Sequence, residues 1–338
     1  MKSTTLKRLL GTSALTLCAL VSAPAHAFSS LYVFGDSLSD SGNNSFALGA
    51  SPASVVSGND FIPFQPYASS APYPTYSNGP VWATHFAASL GLSALPSAVA
   101  GGTNYAFGGA QTGAPGPGPG GFPFSLTSQV SYYLATHSNV ADSSALYVIA
   151  GGGNNARAAV TDVVTHIGTR TEAEQQQAVL ASALAYANDE GLMVDALQAA
   201  GARHIVVWNA PNLGITPFAN AYGLSDLSSG ISQVMNMALA FRMRDEGITT
   251  FDLYGVSTHA VNNPLDFGLG DVKNACGAVV NQCDPATAMF WDGIHPTTYG
   301  HQLIANAMLA AVPEPQTYAM LLVGLGLIGG AARRRKSA

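Results

Sequence analysis

The 338 residues carry 13 Lys and Arg against 19 Asp and Glu, and the basic residues crowd the two ends: Lys2, Lys7, Arg8, Arg333, Arg334, Arg335 and Lys336. Between Phe28 and Val312 six basic side chains face eighteen acidic ones, a net of −12, which leaves no electrostatic footprint for nucleic acid and favours solubility by self-repulsion. That body of about 285 residues suits one large α/β domain, and no internal repeat divides it.

The N-terminus reads as an export signal. Lys2, Lys7 and Arg8 precede an apolar centre from Leu9 to Val21, and Ala25-His26-Ala27 forms a small-x-small cleavage site. The centre is too short to span a bilayer comfortably, so residues 1–27 are expected to be removed and the mature chain to begin near Phe28.

The first strand is then Leu31-Tyr32-Val33, running into Phe34-Gly35-Asp36-Ser37-Leu38-Ser39-Asp40-Ser41-Gly42-Asn43. A short buried strand that ends in such a turn presents Ser37 where a parallel sheet would offer a nucleophile. Taken alone, Ser37 is equally a turn residue or a helix cap. Asp36 and Asp40 are expected to bond backbone groups of their own turn, with a paired-carboxylate acid/base role as the alternative. Residues 40–78 read as a loop rich in Ser, Pro, Asn and aromatic residues, and Val81–Leu90 as a helix stopped by Gly91.

Asn104-Tyr105-Ala106-Phe107-Gly108-Gly109-Ala110 follows as a small-residue turn whose backbone N–H groups can approach a ligand. The Gly- and Pro-rich residues 113–121 cannot be the interior of a helix or strand. A surface insertion is the first reading of that segment and a wall of a substrate groove the alternative.

Further strands are expected at Ala145–Ala150, His204–Trp208 and Thr249–Leu253, each short and β-rich as a strand buried on both faces should be. Helices are expected at Gln175–Ala200 before Gly201, Leu227–Glu246 before Gly247, and Tyr299–Ala311. The alternation implies a parallel sheet covered by helices on both faces. Gly151-Gly152-Gly153-Asn154-Asn155 directly follows the second strand.

Cys18 leaves with the signal, and Cys276 and Cys283, with six residues between them, are expected to close a small disulfide loop in an exported protein. Two free thiols are the alternative; zinc is disfavoured because no Cys or His pair flanks them at ligand spacing. Asp292-Gly293-Ile294-His295-Pro296 brings an acid and a histidine together in a turn-like context. His85, His137, His166 and His301 fall on expected helices or their ends and read as surface or packing residues. His204 opens a strand, and His259 is placed in a loop.

The C-terminus carries a second address. Val312-Pro313-Glu314-Pro315 precedes an apolar run from Tyr318 to Ala332, shorter than a spanning helix needs, and then Arg333-Arg334-Arg335-Lys336. Residues 313–338 resemble the PEP-CTERM sorting tail of Gram-negative bacteria, which implies processing by an exosortase-type membrane protease and a final place in the envelope or outside the cell. A weak tail anchor is the alternative.

The four islands around Ser37, Gly109, Asn154 and Asp292/His295, in that order, resemble blocks I, II, III and V of the GDSL, or SGNH, hydrolase family. Tyr76-Ser77-Asn78-Gly79-Pro80-Val81-Trp82 and Asn209-Ala210-Pro211-Asn212-Leu213-Gly214 extend the likeness over the whole body. Departures are Asn155 where the family often has aspartate and Pro80 where arginine is common. The resemblance implies a flavodoxin-like, three-layer α/β/α sandwich with a central parallel sheet, and an esterase or lipase working without metal or cofactor.

Ser37 would attack the ester, His295 would take its proton, and Asp292 would hold the imidazole tautomer. The oxyanion would be met by the Ser37 N–H, the Gly109 N–H and the Asn154 amide, with Gly108 as the alternative to Gly109. The expected substrates are short- to medium-chain acyl esters or lipids. Alternatives are O-deacetylation of extracellular polysaccharide, or acyl transfer. A non-enzymatic surface or matrix protein would require a defective site, whereas every catalytic position is filled.

Overall fold

The computed structural model describes residues 28–49, 55–68 and 72–312. The expected signal (1–27) and sorting tail (313–338) lie outside these residues. Four strands, β1 (Leu31–Gly35), β2 (Leu146–Ala150), β3 (His204–Trp208) and β4 (Thr249–Phe251), pair in parallel in that order. β2 is buried along its whole length, as a central strand covered on both faces must be.

On the free side of β1, residues 103–107 add a fifth extended stretch. Val33 N–H donates to Thr103 O (3.1 Å), Tyr105 N–H to Val33 O (2.7 Å) and Phe107 N–H to Gly35 O (3.1 Å). The start of the segment read as a small-residue turn is therefore an extended part of the sheet, flanked in turn by residues 95–97 (Ser97 N–H to Asn104 O, 2.7 Å). Counted with it, the spatial order is 2-1-3-4-5, and the order reverses between β1 and β2, where open α/β sheets bind ligands.

Nine α-helices are described: α1 (Asn43–Leu48), α2 (Trp82–Ser89), α3 (Leu126–Thr136), α4 (Gly153–Thr165), α5 (Glu172–Ala199), α6 (Pro217–Ala221), α7 (Ser225–Met243), α8 (Leu253–Asn262) and α9 (Thr298–Ala311). One sheet face, with Phe34, Tyr147, Ile149, Ile205 and Val207, packs into a core shared with α3, α4, α5 and α7. On the other face Trp82 of α2 lies against Trp208 of β3 (ring centroids 4.2 Å), and α9 packs on α2. The result is the expected three-layer sandwich.

Helix α5 begins three residues before its expected start because Thr171 and Glu174 form a capping box. It ends where Gly201 takes φ +108° and the N–H groups of Gly201 and Ala202 return to Gln198 and Leu197. The fourth strand stops at Phe251 because Asp252 caps α8, its Oδ1 accepting the Gly255 N–H (2.9 Å). Consequently His259 sits in α8 rather than in a loop. The long loop contains α1, and a second, two-stranded parallel sheet, β5 (Asp271–Ala275) and β6 (Ala288–Phe290), was not expected. Cys276 and Cys283 are joined by a disulfide (Cα–Cα 5.4 Å) that closes the loop after β5.

Glu190, on the inward side of α5, is fully buried, and neither carboxyl oxygen has a hydrogen-bond partner among the described residues. Burial, then the neighbouring Asp189 and Asp36, hold its pKa well above the usual 4.5. The unfolded chain releases this proton near the ordinary value while the native state keeps it. Native protein thus binds the extra proton above pH 4.5, and stability falls as pH rises until the folded group ionises. Glu190→Met, similar in volume and apolar, removes that drain. It should stabilise the fold by about 1–3 kcal/mol near pH 8 and by less at pH 4.5. Urea unfolding at the two pH values checks this, and a gain independent of pH would refute it.

Candidate active site

The nucleophile turn is built by close backbone approach. A Cβ on Gly35 would lie 2.6 Å from the Ala150 carbonyl oxygen, so only glycine lets β1 end against β2 here. Gln129 of α3 holds the same residue at both backbone groups, accepting from its N–H (2.8 Å) and donating to its C=O (2.9 Å). The Asp36 carbonyl then accepts from Ser39 and Asp40, and Asp36 Oδ1 from the Leu38 N–H (3.0 Å). Ser37 thus stands at the head of a tight turn, nearly buried.

Asp40 is fully buried and accepts from the N–H groups of Gly42, Asn43, Asn44 and Gly108. Burial pushes its carboxyl up to about 6 against the pull of those donors, and does the same to Asp36. Both aspartates therefore organise the turn, as expected. Asn43 donates to the carbonyls of Asn104 and Ala106, and Asn44 to that of Gly108 (3.0 Å) and to Tyr76 Oη (2.6 Å). These bonds staple the 104–108 stretch to the nucleophile turn.

They also separate the two glycines. The Gly108 N–H is taken by Asp40 (3.1 Å), and a Cβ there would strike the Tyr76 ring. The Gly109 N–H has no partner among the described residues, and its φ of +85° suits glycine.

The 292–295 loop carries an unbroken series of bonds to Ser37. Asp292 Oδ1 accepts the N–H groups of Ile294 (2.9 Å) and His295 (2.8 Å). Its Oδ2 meets His295 Nδ1 at 2.8 Å and the Tyr67 hydroxyl at 2.8 Å. His295 Nε2 stands 2.8 Å from Ser37 Oγ. Because a carboxylate only accepts, this network assigns the ring proton to Nδ1 and the lone pair to Nε2. Burial and then the Asp292 charge push the Tyr67 phenol up, so it stays a donor. Behind the loop, the disulfide segment is pinned by the Gly277 N–H to Trp291 O (2.7 Å), and Trp291 packs edge-on to Tyr67.

Asn154 opens α4 across from Ser37. Its Oδ1 accepts from Arg157 Nη2 (3.1 Å), and its Nδ2 donates one proton to the Ala110 carbonyl (2.9 Å), keeping a second. Asn155 bonds both the N–H and the hydroxyl of Thr112, so the substitution at this position leaves the loop tied down. Pro80 lies in a turn held to α9, its carbonyl accepting the Thr298 hydroxyl (2.9 Å).

Two hollows meet at Ser37, His295, Asn154 and Arg157. One, of about 80 Å³, is walled by apolar side chains such as Leu38, Val160, Leu213, Phe218 and Ile294. The other is a groove between Ile62, Pro63 and Phe64 of the long loop and Pro117, Pro119 and Phe122. The glycine–proline segment is thus a wall of the site, against its first reading.

Among the described residues none of the remaining histidines joins Ser37. His301 is buried and kept neutral by burial, and His85 bonds the Thr298 hydroxyl. Among the described residues no group of His, Cys, Asp or Glu could hold a metal ion. Tyr67, Gln129 and Arg157 take part without having been singled out in the sequence. Only Arg157, three residues past Asn154 and so beside it on a helix, left a readable signal.

Residues 31–308 match the family model described as GDSL-like lipase/acylhydrolase. The chain belongs to that family. Residues 311–336 match the PEP-CTERM protein-sorting motif, a signal for export to the cell envelope or beyond and for exosortase processing. Among GDSL relatives, Lipase 1 of Photorhabdus luminescens is 34% identical over 221 residues, 64% of this chain and 27% of that protein. Esterase EstA of Pseudomonas aeruginosa is 28% identical over 356 residues, 91% of this chain and 51% of that protein. The chain therefore spans about half, or less, of the length of these relatives. A solved carbohydrate acetylesterase from Sinorhizobium meliloti is similar at 16% identity and a TM-score of 0.42, over 83% of this chain and 98% of that one. No helix among the described residues is long and apolar enough to cross a membrane.

Proposed function

We propose that this GDSL protein is an exported carboxylic ester hydrolase acting through an acyl-enzyme on Ser37. The observation that carries the reading is the bonded series Asp292–His295–Ser37 at 2.8 Å per step. His295 Nε2 takes the Ser37 proton as Oγ attacks the ester carbonyl, and Asp292 stabilises the imidazolium that forms. The imidazolium then protonates the departing alcohol. Water enters, loses its proton to His295, and releases the acid from Ser37.

The developing oxyanion is met by the N–H groups of Ser37 and Gly109 and by the free amide proton of Asn154. Gly109 is favoured over Gly108 because Asp40 occupies the Gly108 N–H. Asn154→Ala should lower kcat by roughly 100- to 1,000-fold with a smaller change in KM, since its proton is needed most in the transition state. A loss confined to KM would remove Asn154 from this role.

The apolar walls of the hollow suit the hydrocarbon of a short acyl chain, and a medium chain or lipid would extend from it into the adjoining groove. In this reading residues 28–312 are the working domain, freed by removal of the signal and by exosortase-type cutting of the tail, and active in the envelope or outside the cell. The test is release of acyl chains of graded length by the purified protein, with a phosphonate ester labelling Ser37 and stopping turnover. Failure to hydrolyse any ester would overturn the proposal, and activity on acetyl esters alone would overturn the substrate class.

A further inference from the structure

Arg157 lines both hollows at Ser37. Its guanidinium makes one hydrogen bond, from Nη2 to Asn154 Oδ1, and no ion pair among the described residues. Arg170 and Arg242, by contrast, each close on carboxylates. Asp36 acts on Arg157 only from beyond ion-pair distance. A guanidinium offers five donors in a planar fork and stays charged, so most of its donors face the hollows unclaimed. Leaving a half-buried cation in this state is costly unless an anion completes it. The cost stands out in a body with only six basic residues.

We propose that Arg157 receives an anionic group, phosphate or carboxylate, borne on the alcohol part of the ester; this rests on the hydrolase reading above. The acyl chain enters the hollow with apolar walls and the alcohol part lies along the groove, which Arg157 also lines. The junction at Arg157 lies beside the carbonyl site, so the acid group must sit within a few bonds of the ester. The preferred substrates are then anionic amphiphiles rather than neutral glycerides. A charge-assisted, forked contact of this kind sets both affinity and orientation.

The test compares three esters of similar size: monooctanoyl glycerol, monooctanoyl glycerol phosphate and the monooctanoyl ester of glyceric acid. The wild-type protein should favour at least one anionic ester over the neutral one by roughly 10- to 100-fold in kcat/KM. Comparison of the two anionic esters tells phosphate from carboxylate. Arg157→Gln, which keeps a donor toward Asn154, should collapse that ratio, and Arg157→Lys should retain part of it. Equal wild-type rates on neutral and anionic esters would overturn the inference. So would a loss in Arg157→Gln shared equally by all three, which would make Arg157 only a support for Asn154 or a counterion of Asp36. Absence of hydrolysis of all three by the wild type would instead overturn the hydrolase reading, and this inference with it.

Discussion

Ser37→Ala should lower kcat/KM for ester hydrolysis by roughly 10⁴- to 10⁶-fold without unfolding the protein. The effect is large because in the proposed mechanism the Oγ forms the acyl bond, and among the described residues no other hydroxyl shares its contact with His295 Nε2. The fold should survive because the turn is held by backbone bonds and by Asp36, Asp40 and Gln129, none of which uses the Ser37 side chain. A residual rate above the uncatalysed one is expected, since the oxyanion donors and the apolar hollow remain. Acyl release measured beside a thermal unfolding curve checks both halves. A variant with more than a tenth of wild-type activity would show that the ester is attacked by something other than Ser37.

The sheet was legible because its first three strands are buried on both faces and therefore read as short apolar runs between glycine-stopped helices. The stretch at 103–107 was not, because it pairs only briefly, with Val33 and Gly35 on one side and residues 95–97 on the other, and runs into Gly108-Gly109, which signals a turn. The start of helix α4 was hidden for a related reason: it begins Gly-Asn-Asn, the composition of a loop. The small sheet escaped because Asp271–Ala275 has little β-propensity and pairs across a register shift.

At the site, Ser37, Asp292 and His295 could be named because each lies in a compact local pattern. Tyr67 could not. It stands 225 residues from Asp292 in a loop without periodicity, and only the folded chain brings the phenol to the carboxylate. The choice between Gly108 and Gly109 is likewise a question about one N–H, and in the proposed reading it turns on where Asp40 points.

That placement of hydrogen bonds makes Asp292→Asn the more instructive substitution. The loop requires an acceptor at the Oδ1 position, where the Ile294 and His295 N–H groups converge. An asparagine will therefore keep its oxygen there and turn its amide nitrogen toward His295 Nδ1 and Tyr67. An N–H₂ cannot accept from Nδ1–H, so the imidazole shifts its proton to Nε2 and presents Ser37 with a donor instead of a lone pair. The base is lost while the shape is kept. The expected fall in kcat/KM at neutral pH is about 10⁴-fold, and nitrogen NMR of the ring should report the tautomer change directly. Tyr67→Phe provides the contrast: Asp292 loses one donor, but the tautomer is still set by its carboxylate, so the fall should stay within about tenfold. If Asp292→Asn kept Nδ1 protonated, or if Tyr67→Phe proved equally damaging, the tautomer would not be what Asp292 controls.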